Sequence, residues 1–171
     1  MAGNGKVDFR DLEDFKRKIR NSLGDQHVNS FIESCAKELA ARLLAKVIKR
    51  TPVGDYSGND YVDVNGRHHK GHYVPGKKGG TLRRGWTGGK NQAANAYAGN
   101  LKVNQFGGVY VIEIINPVEY APYVEFGHRT RGGDGWVEGK FMLTISEQEI
   151  ERDAPRVLEN KLKKKLGEVF K

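Results

Sequence analysis

Residues 25–50, DQHVNSFIESCAKELAARLLAKVIKR, decide the fold. Val28, Phe31, Ile32, Cys35, Leu39, Leu43 and Val47 recur every three or four residues, and Ala36, Ala40, Leu44 and Ile48 widen the apolar stripe. That period predicts a helix over 25–50. A stripe this broad belongs against a sheet or another helix, not at a bare surface. Lys46, Lys49 and Arg50 suit the negative end of the helix dipole, and Thr51-Pro52 stops it because the residue before proline disfavours helix. Upstream, Asp8 caps a short first helix with Phe9, Leu12, Phe15 and Ile19 on one side, broken by Gly24.

Downstream, residues 54–80 read as a long glycine-rich loop holding at most a small hairpin. Three strand candidates follow, at 81–87, 96–104 and 109–115, with Gly107-Gly108 as a hairpin turn and Asn116-Pro117 as the stop. The last strand has one nearly all-apolar face, as in an antiparallel sheet covered on one side. From Glu138 the pattern turns helical again, through Phe141, Met142, Ile145 and Ile150 to Val157, Leu158, Leu162, Leu166, Val169 and Phe170. Asp153 with Ala154-Pro155 reads as a cap and first turn, giving two helices or one kinked near Pro155. The expected class is α+β: a small antiparallel sheet of three to five strands packed against long N-terminal and C-terminal helices, in one domain over 1–171.

Charge is the most localised feature. The net +8 resides entirely in the middle of the chain. Between Val64 and Ile112 there is no acidic residue, while Arg67, Lys70, Lys77, Lys78, Arg83, Arg84, Lys90 and Lys102 supply eight positive charges. The other 21 basic residues balance the 21 acidic ones. One surface is therefore expected to meet something anionic. No run approaches the roughly 18 apolar residues of a membrane span. The opening MAGNGKVDFRD has no apolar signal core, and the single Cys35 reads as a buried structural thiol in a reducing compartment.

After the third strand comes NPVEYAPYVEFGHRT, residues 116–130. A helical turn or two over 119–126 puts Tyr120, Tyr123 and Val124 on one side, and Gly127 closes it with a left-handed residue. Two readings stay open: an aromatic plug at the open end of the sheet, and a docking edge beside a charged glycine loop.

YAPYVEFGH after a strand ending in Asn-Pro resembles the tailed-phage neck and tail-completion proteins of the Hong Kong ninety-seven gene-ten-product family. RTPVGDYSG, residues 50–58, is similar to that family's Thr-Pro-Val turn, and GGTLRRGW, residues 79–86, to its Gly-x-Leu-Arg-x-Ser-Trp strand. The three motifs run in order between Lys49 and about Lys140. Many members pass directly from the first motif to the second; here residues 54–78 intervene, and Gly85 stands where Ser is common. The loop after the corner also departs from the usual short apolar-proline turn. The resemblance implies a structural virion protein that joins the capsid connector and tail tube through a homo-oligomeric ring, with other neck and tail proteins as partners. It implies no enzyme activity, no cofactor, no small-molecule substrate and no membrane, with residence in the virion and, during assembly, in the host cytoplasm.

The interaction residues expected on this reading are Arg67, Lys70, Lys77, Lys78, Arg83, Arg84, Tyr120, Tyr123, Glu125, Phe126, Arg129, Arg131 and Trp136. The segments 54–80 and 127–139 are expected to be mobile loops that order on contact with neighbours. Trp136, between glycines, is an interface anchor or folds back on the sheet, whereas Trp86 is core or half-core. A second reading is a small basic DNA-binding protein acting through 64–112, with packaged DNA as the contact and Tyr73 and Trp86 interleaved among the cations. A third is a metal-dependent nuclease built on His68, His69 and Asp63, with His72 nearby, although a solvated basic loop explains the same histidines. No phosphate loop, HExxH or nucleophile elbow accompanies them.

Overall fold

The computed structural model describes residues 4–5, 24–62 and 66–169. The short first helix that begins at Asp8 lies outside them, as do Asp63 and Val64. The described elements run β1 (Asn4–Gly5), α1 (Asp25–Arg50), β2 (Tyr61–Val62), β3 (His68–His69), α2 (Thr81–Gly85), α3 (Ala94–Asn100), β4 (Val103–Phe106), β5 (Val109–Ile112), β6 (Ile114–Ile115), α4 (Ala121–Phe126), β7 (Gly127–Arg129), β8 (Trp136–Glu138) and α5 (Met142–Val169).

α1 has the bounds its periodicity predicts, and Val28, Ile32, Cys35, Leu39, Leu44 and Val47 are almost wholly buried along it. Burying each large aliphatic side chain stabilises by roughly 1.5–3 kcal/mol before the entropy of ordering is counted. The stripe is wide because it serves several neighbours: α5, α3 and the β4–β5 hairpin all pack on α1. Polar contacts fix the joints. Tyr110 on β5 donates its hydroxyl hydrogen to Asn29 Oδ1 at 2.9 Å. Lys161 on α5 donates to Ser34 O at 2.7 Å and pairs with Glu38 at 3.0 Å. Lys46 and Arg50 both reach Glu149, at 2.8 and 2.5 Å.

The α+β class holds, with antiparallel pairing divided among four two-stranded ladders in the described residues: β1–β6, β2–β3, β4–β5 and β7–β8. β4 and β5 turn at Gly107-Gly108, in the register Val103↔Ile112 to Phe106↔Val109.

Two of the three strand candidates are corrected. Residues 81–87 hold the short helix α2, because Leu82, Gly85 and Trp86 must all turn toward the core, a spacing of three to four that a strand cannot supply. Residues 96–104 begin as the end of α3, which buries Ala98 against α1, and become strand only at Val103. The third candidate is interrupted at Glu113 into β5 and β6. The C-terminal helix starts at Met142, not Glu138, which lies in β8. It runs through Pro155 as a single helix. Pro155 is on the exposed side, where the carbonyl that its missing N–H would have bonded is open to solvent. Asp153 is inside the helix, 3.6 Å from Lys46, and caps nothing.

Candidate assembly surface

The corner after β6 is built from one buried amide. Asn116 is 1% exposed; its Nδ2 donates to Leu82 O at 2.8 Å, and its Oδ1 accepts from the Val118 backbone at 3.2 Å. Asn116 thus ties the end of the strand to α2 and starts the turn into α4. Gly85 lies against the same side chain. A Cβ there would fall well inside contact distance of Asn116 Oδ1 and 3.0 Å from Val118 Cγ2. Glycine at this position therefore has a packing cause.

Of the interaction residues expected on this corner, Glu125 is the one that the structure turns inward. Glu125 is buried, at 5% exposure, while Tyr120, Tyr123 and Phe126 expose 46%, 58% and 55% of their surfaces. The Glu125 carboxylate accepts from Leu143 N and Thr144 N, each at 2.9 Å, and from Thr144 Oγ1 at 2.8 Å. It caps α5, whose first amides have no intrahelical partners. The main chain adds Lys140 N to Val124 O at 2.8 Å and Phe141 N to Glu125 O at 3.0 Å. The rings that the plug reading would bury are pushed outward by this inward carboxylate, and that reading is corrected.

The aromatic surface continues into the next segment. Gly127 has φ +85° and opens directly into β7. Residues 127–139, expected as a loop, hold the β7–β8 hairpin. Its tip is closed by Thr130 N to Gly135 O at 2.9 Å and Gly135 N to Thr130 Oγ1 at 3.0 Å. Arg129 stands opposite Trp136, a pairing that puts both on one face of the ladder. Trp136 is 55% exposed, and Arg131 projects from the tip. His128 meets Tyr123 edge-on, with ring centroids 5.9 Å apart.

The basic residues separate into two groups. Arg67, Lys70, Lys77 and Lys78 are exposed on the 54–80 segment, in whose described residues β2 pairs with β3 and Ser57 bridges Tyr73. Lys77 Nζ sits 4.5 Å from the Tyr56 ring centroid. Arg83 and Arg84 are half-buried instead and bind backbone. Arg83 donates to Thr51 O at 3.2 and 2.7 Å, and Arg84 to Gly79 O at 3.2 Å. They hold α2 to the end of α1 and to the end of the hairpin. A groove of about 450 Å³, bounded by Val53, Tyr56, Lys77, Lys78, Tyr120 and Val124, joins the basic hairpin to the aromatic helix.

The stretch 64–112 is not one continuous cationic face, because the chain enters the core at Leu82, Trp86, Ala98 and Tyr110. Trp86 is buried and donates from Nε1 to Thr51 Oγ1 at 2.8 Å. His68 and His69 are adjacent in β3, so their side chains leave opposite faces. Among the described residues no group of three His, Cys, Asp or Glu is placed to hold a metal ion. Cys35 is buried, and desolvation pushes its thiol up to about 11 against the lesser pull of Lys161. Among the described residues no helix is long and apolar enough to cross a membrane.

Sequence reasoning missed Glu125 as the cap of α5. The distant signal was a glutamate amid apolar residues, followed by Met142-Leu143-Thr144, a helix start without a capping side chain of its own. It also missed Glu147, whose Oε1 is buried beside Glu125 without a hydrogen-bond partner among the described residues.

No curated protein and no solved structure matches the chain. The family described as "Bacteriophage HK97-gp10, putative tail-component" matches residues 13–127, which span the two long-range anchors of the corner, Asn116 and α2. The chain belongs to this HK97-gp10-like family of phage tail components.

Proposed function

We propose that this protein is a structural component of the phage head–tail junction or tail end, completing the tail and joining it to the capsid connector by non-covalent contacts. The observation that carries the reading is a set of exposed aromatic rings: Tyr120, Tyr123 and Phe126 at α4, which Glu125 locks to α5, and Trp136 on β8. Exposed rings on a rigid support are the usual anchors of protein interfaces. Its partners are other neck and tail proteins and further copies of itself in a ring. It resides in the virion and, before assembly, in the host cytoplasm. The chemistry is association, with no bond made or broken.

The cationic hairpin serves a protein neighbour in this account. Arg83 and Arg84 are engaged by backbone carbonyls, which leaves fewer cations for phosphate tracking than the sequence counts. The hairpins 54–80 and 127–139 tighten when they meet partners. The experiment is removal of the gene from the phage, with electron microscopy of the particles and immunolabelling of the wild type. Tailless heads or unfinished tails, with label at the neck or tail end, support the reading. Complete infectious particles without the protein overturn it.

A further inference from the structure

A cavity of about 90 Å³ lies where α4 meets the first turns of α5, walled by Trp86, Pro122, Phe126 and Met142. Glu125 and Glu147 also line it. The two carboxylates differ in kind. Glu125 is satisfied by three donors from α5. Among the described residues, Glu147 Oε1 is buried and has no donor. Lys46 and Arg50, on α1 across the helix joint, pair with Glu149. An ionisable oxygen left without a donor in an apolar pocket is costly, and such an atom calls for an explanation. Burial, and secondarily the Glu125 charge, push the Glu147 carboxyl upward, which an incoming cation would reverse.

The pocket's shape and chemistry define its occupant. Apolar walls above a carboxylate fit a side chain with an aliphatic stem and a cationic head. Nucleic acid, itself anionic, is repelled. The chain carries a source of such side chains in the basic hairpin, where Lys70 and Lys78 are exposed within a stretch that has no acid from Val64 to Ile112. The two surfaces lie on different sides of α4. Tyr120 and Val124 face the groove bounded by Lys77 and Lys78, whereas Pro122, Glu125 and Phe126 face the Glu147 cavity.

We propose that the Glu147 cavity of one subunit receives a lysine from the 54–80 hairpin of a second copy of this chain, so that subunits join head to tail. The contact rests on the tail-assembly reading and names its geometry. Each subunit offers one cationic hairpin and one acidic pocket, which is a heterologous contact that closes into a ring when the rotation permits.

The test is disulfide trapping in purified protein across a range of concentrations, with Lys70→Cys or Lys78→Cys combined with Glu147→Cys. Cys35 is buried and adds little background. The proposal expects a ladder of dimers and higher species on non-reducing gels with at least one pair, and none with either single substitution. A fast-migrating intrachain product, or no linkage with either pair, overturns it. Charge reversal gives a second reading that tolerates a weak contact. Glu147→Lys chains alone sediment as monomers, and mixing them with Lys70→Glu/Lys78→Glu chains restores association. Glu147→Gln, with unchanged helix content by circular dichroism, weakens self-association about tenfold or more, as loss of a charged hydrogen bond would. Unaltered association in all of these variants contradicts the proposal. Absence of the protein from purified particles defeats the tail reading separately, because the gel ladder is read without particles.

Discussion

Glu125 and Thr144 lie on different helices and share one carboxylate: Thr144 gives it both a backbone N–H, at 2.9 Å, and a hydroxyl hydrogen, at 2.8 Å. This contact turns α4 so that its acid points in and its rings point out. Glu125→Ala removes the cap and strands the donors at the start of α5. Orphaned buried donors and a lost cap cost on the order of 2 kcal/mol together. For a chain of this length the expected fall in Tm is roughly 4–8 °C, measurable by calorimetry. A shift under 1 °C would mean that the cap is not structural.

Gly85 makes the next test. Serine adds a Cβ against Asn116 and Val118. Overpacking of a closed site costs roughly 1–3 kcal/mol, so Gly85→Ser lowers the denaturant midpoint. The pair Gly85→Ser/Asn116→Ala regains part of the loss, which a double-mutant cycle measures.

These two positions show where the sequence was legible and where it was not. The bounds of α1 could be read because one apolar period runs unbroken for its whole length. The corner could be located because Asn116-Pro117 ends a clear alternation. The facing of α4 could not be read, because six residues give too few turns to separate an apolar face from an exposed aromatic ridge, and the deciding partner, Thr144, is 19 residues away. α2 read as a strand for the same reason: Leu82 and Trp86 are turned inward by Thr51 and Asn116, contacts that no local pattern encodes. Arg83 and Arg84 counted as surface charge until the carbonyls of Thr51 and Gly79 were in place.

Acid should weaken the α1–α5 joint. Hydrogen bonds from Lys46 and then Arg50 hold Glu149 below its usual value of 4.5. A carboxyl lowered by folding stabilises above its unfolded value, and that contribution disappears as the pH falls through the folded one. Wild-type Tm therefore drops below about pH 4.5 more steeply than that of Glu149→Gln. Glu147 has the opposite sign. Its raised carboxyl adds stability only while protonated, and that is lost as the pH climbs through the folded value. Glu147→Gln consequently raises the Tm of the free protein at neutral pH, and the gain shrinks in acid. Parallel Tm profiles for wild type and both variants would contradict these assignments.

Surface cations and half-buried arginines should part company. Lys78→Ala leaves stability within about 0.5 kcal/mol, as expected for an exposed side chain. Arg83→Ala frees the buried Thr51 carbonyl and costs roughly 1–3 kcal/mol. Chemical denaturation of the two variants distinguishes them, and equal losses would refute the division of the basic residues into two groups.

The most direct test of the central claim is complementation of a gene-deleted phage with a ridge variant, Tyr123→Ser/Phe126→Ser/Trp136→Ser, whose Tm is first matched to wild type. The account predicts a folded protein that is absent from particles and heads that stay without finished tails. Normal incorporation and normal plaque yield from that variant would show that the outward rings are not what joins this subunit to the tail.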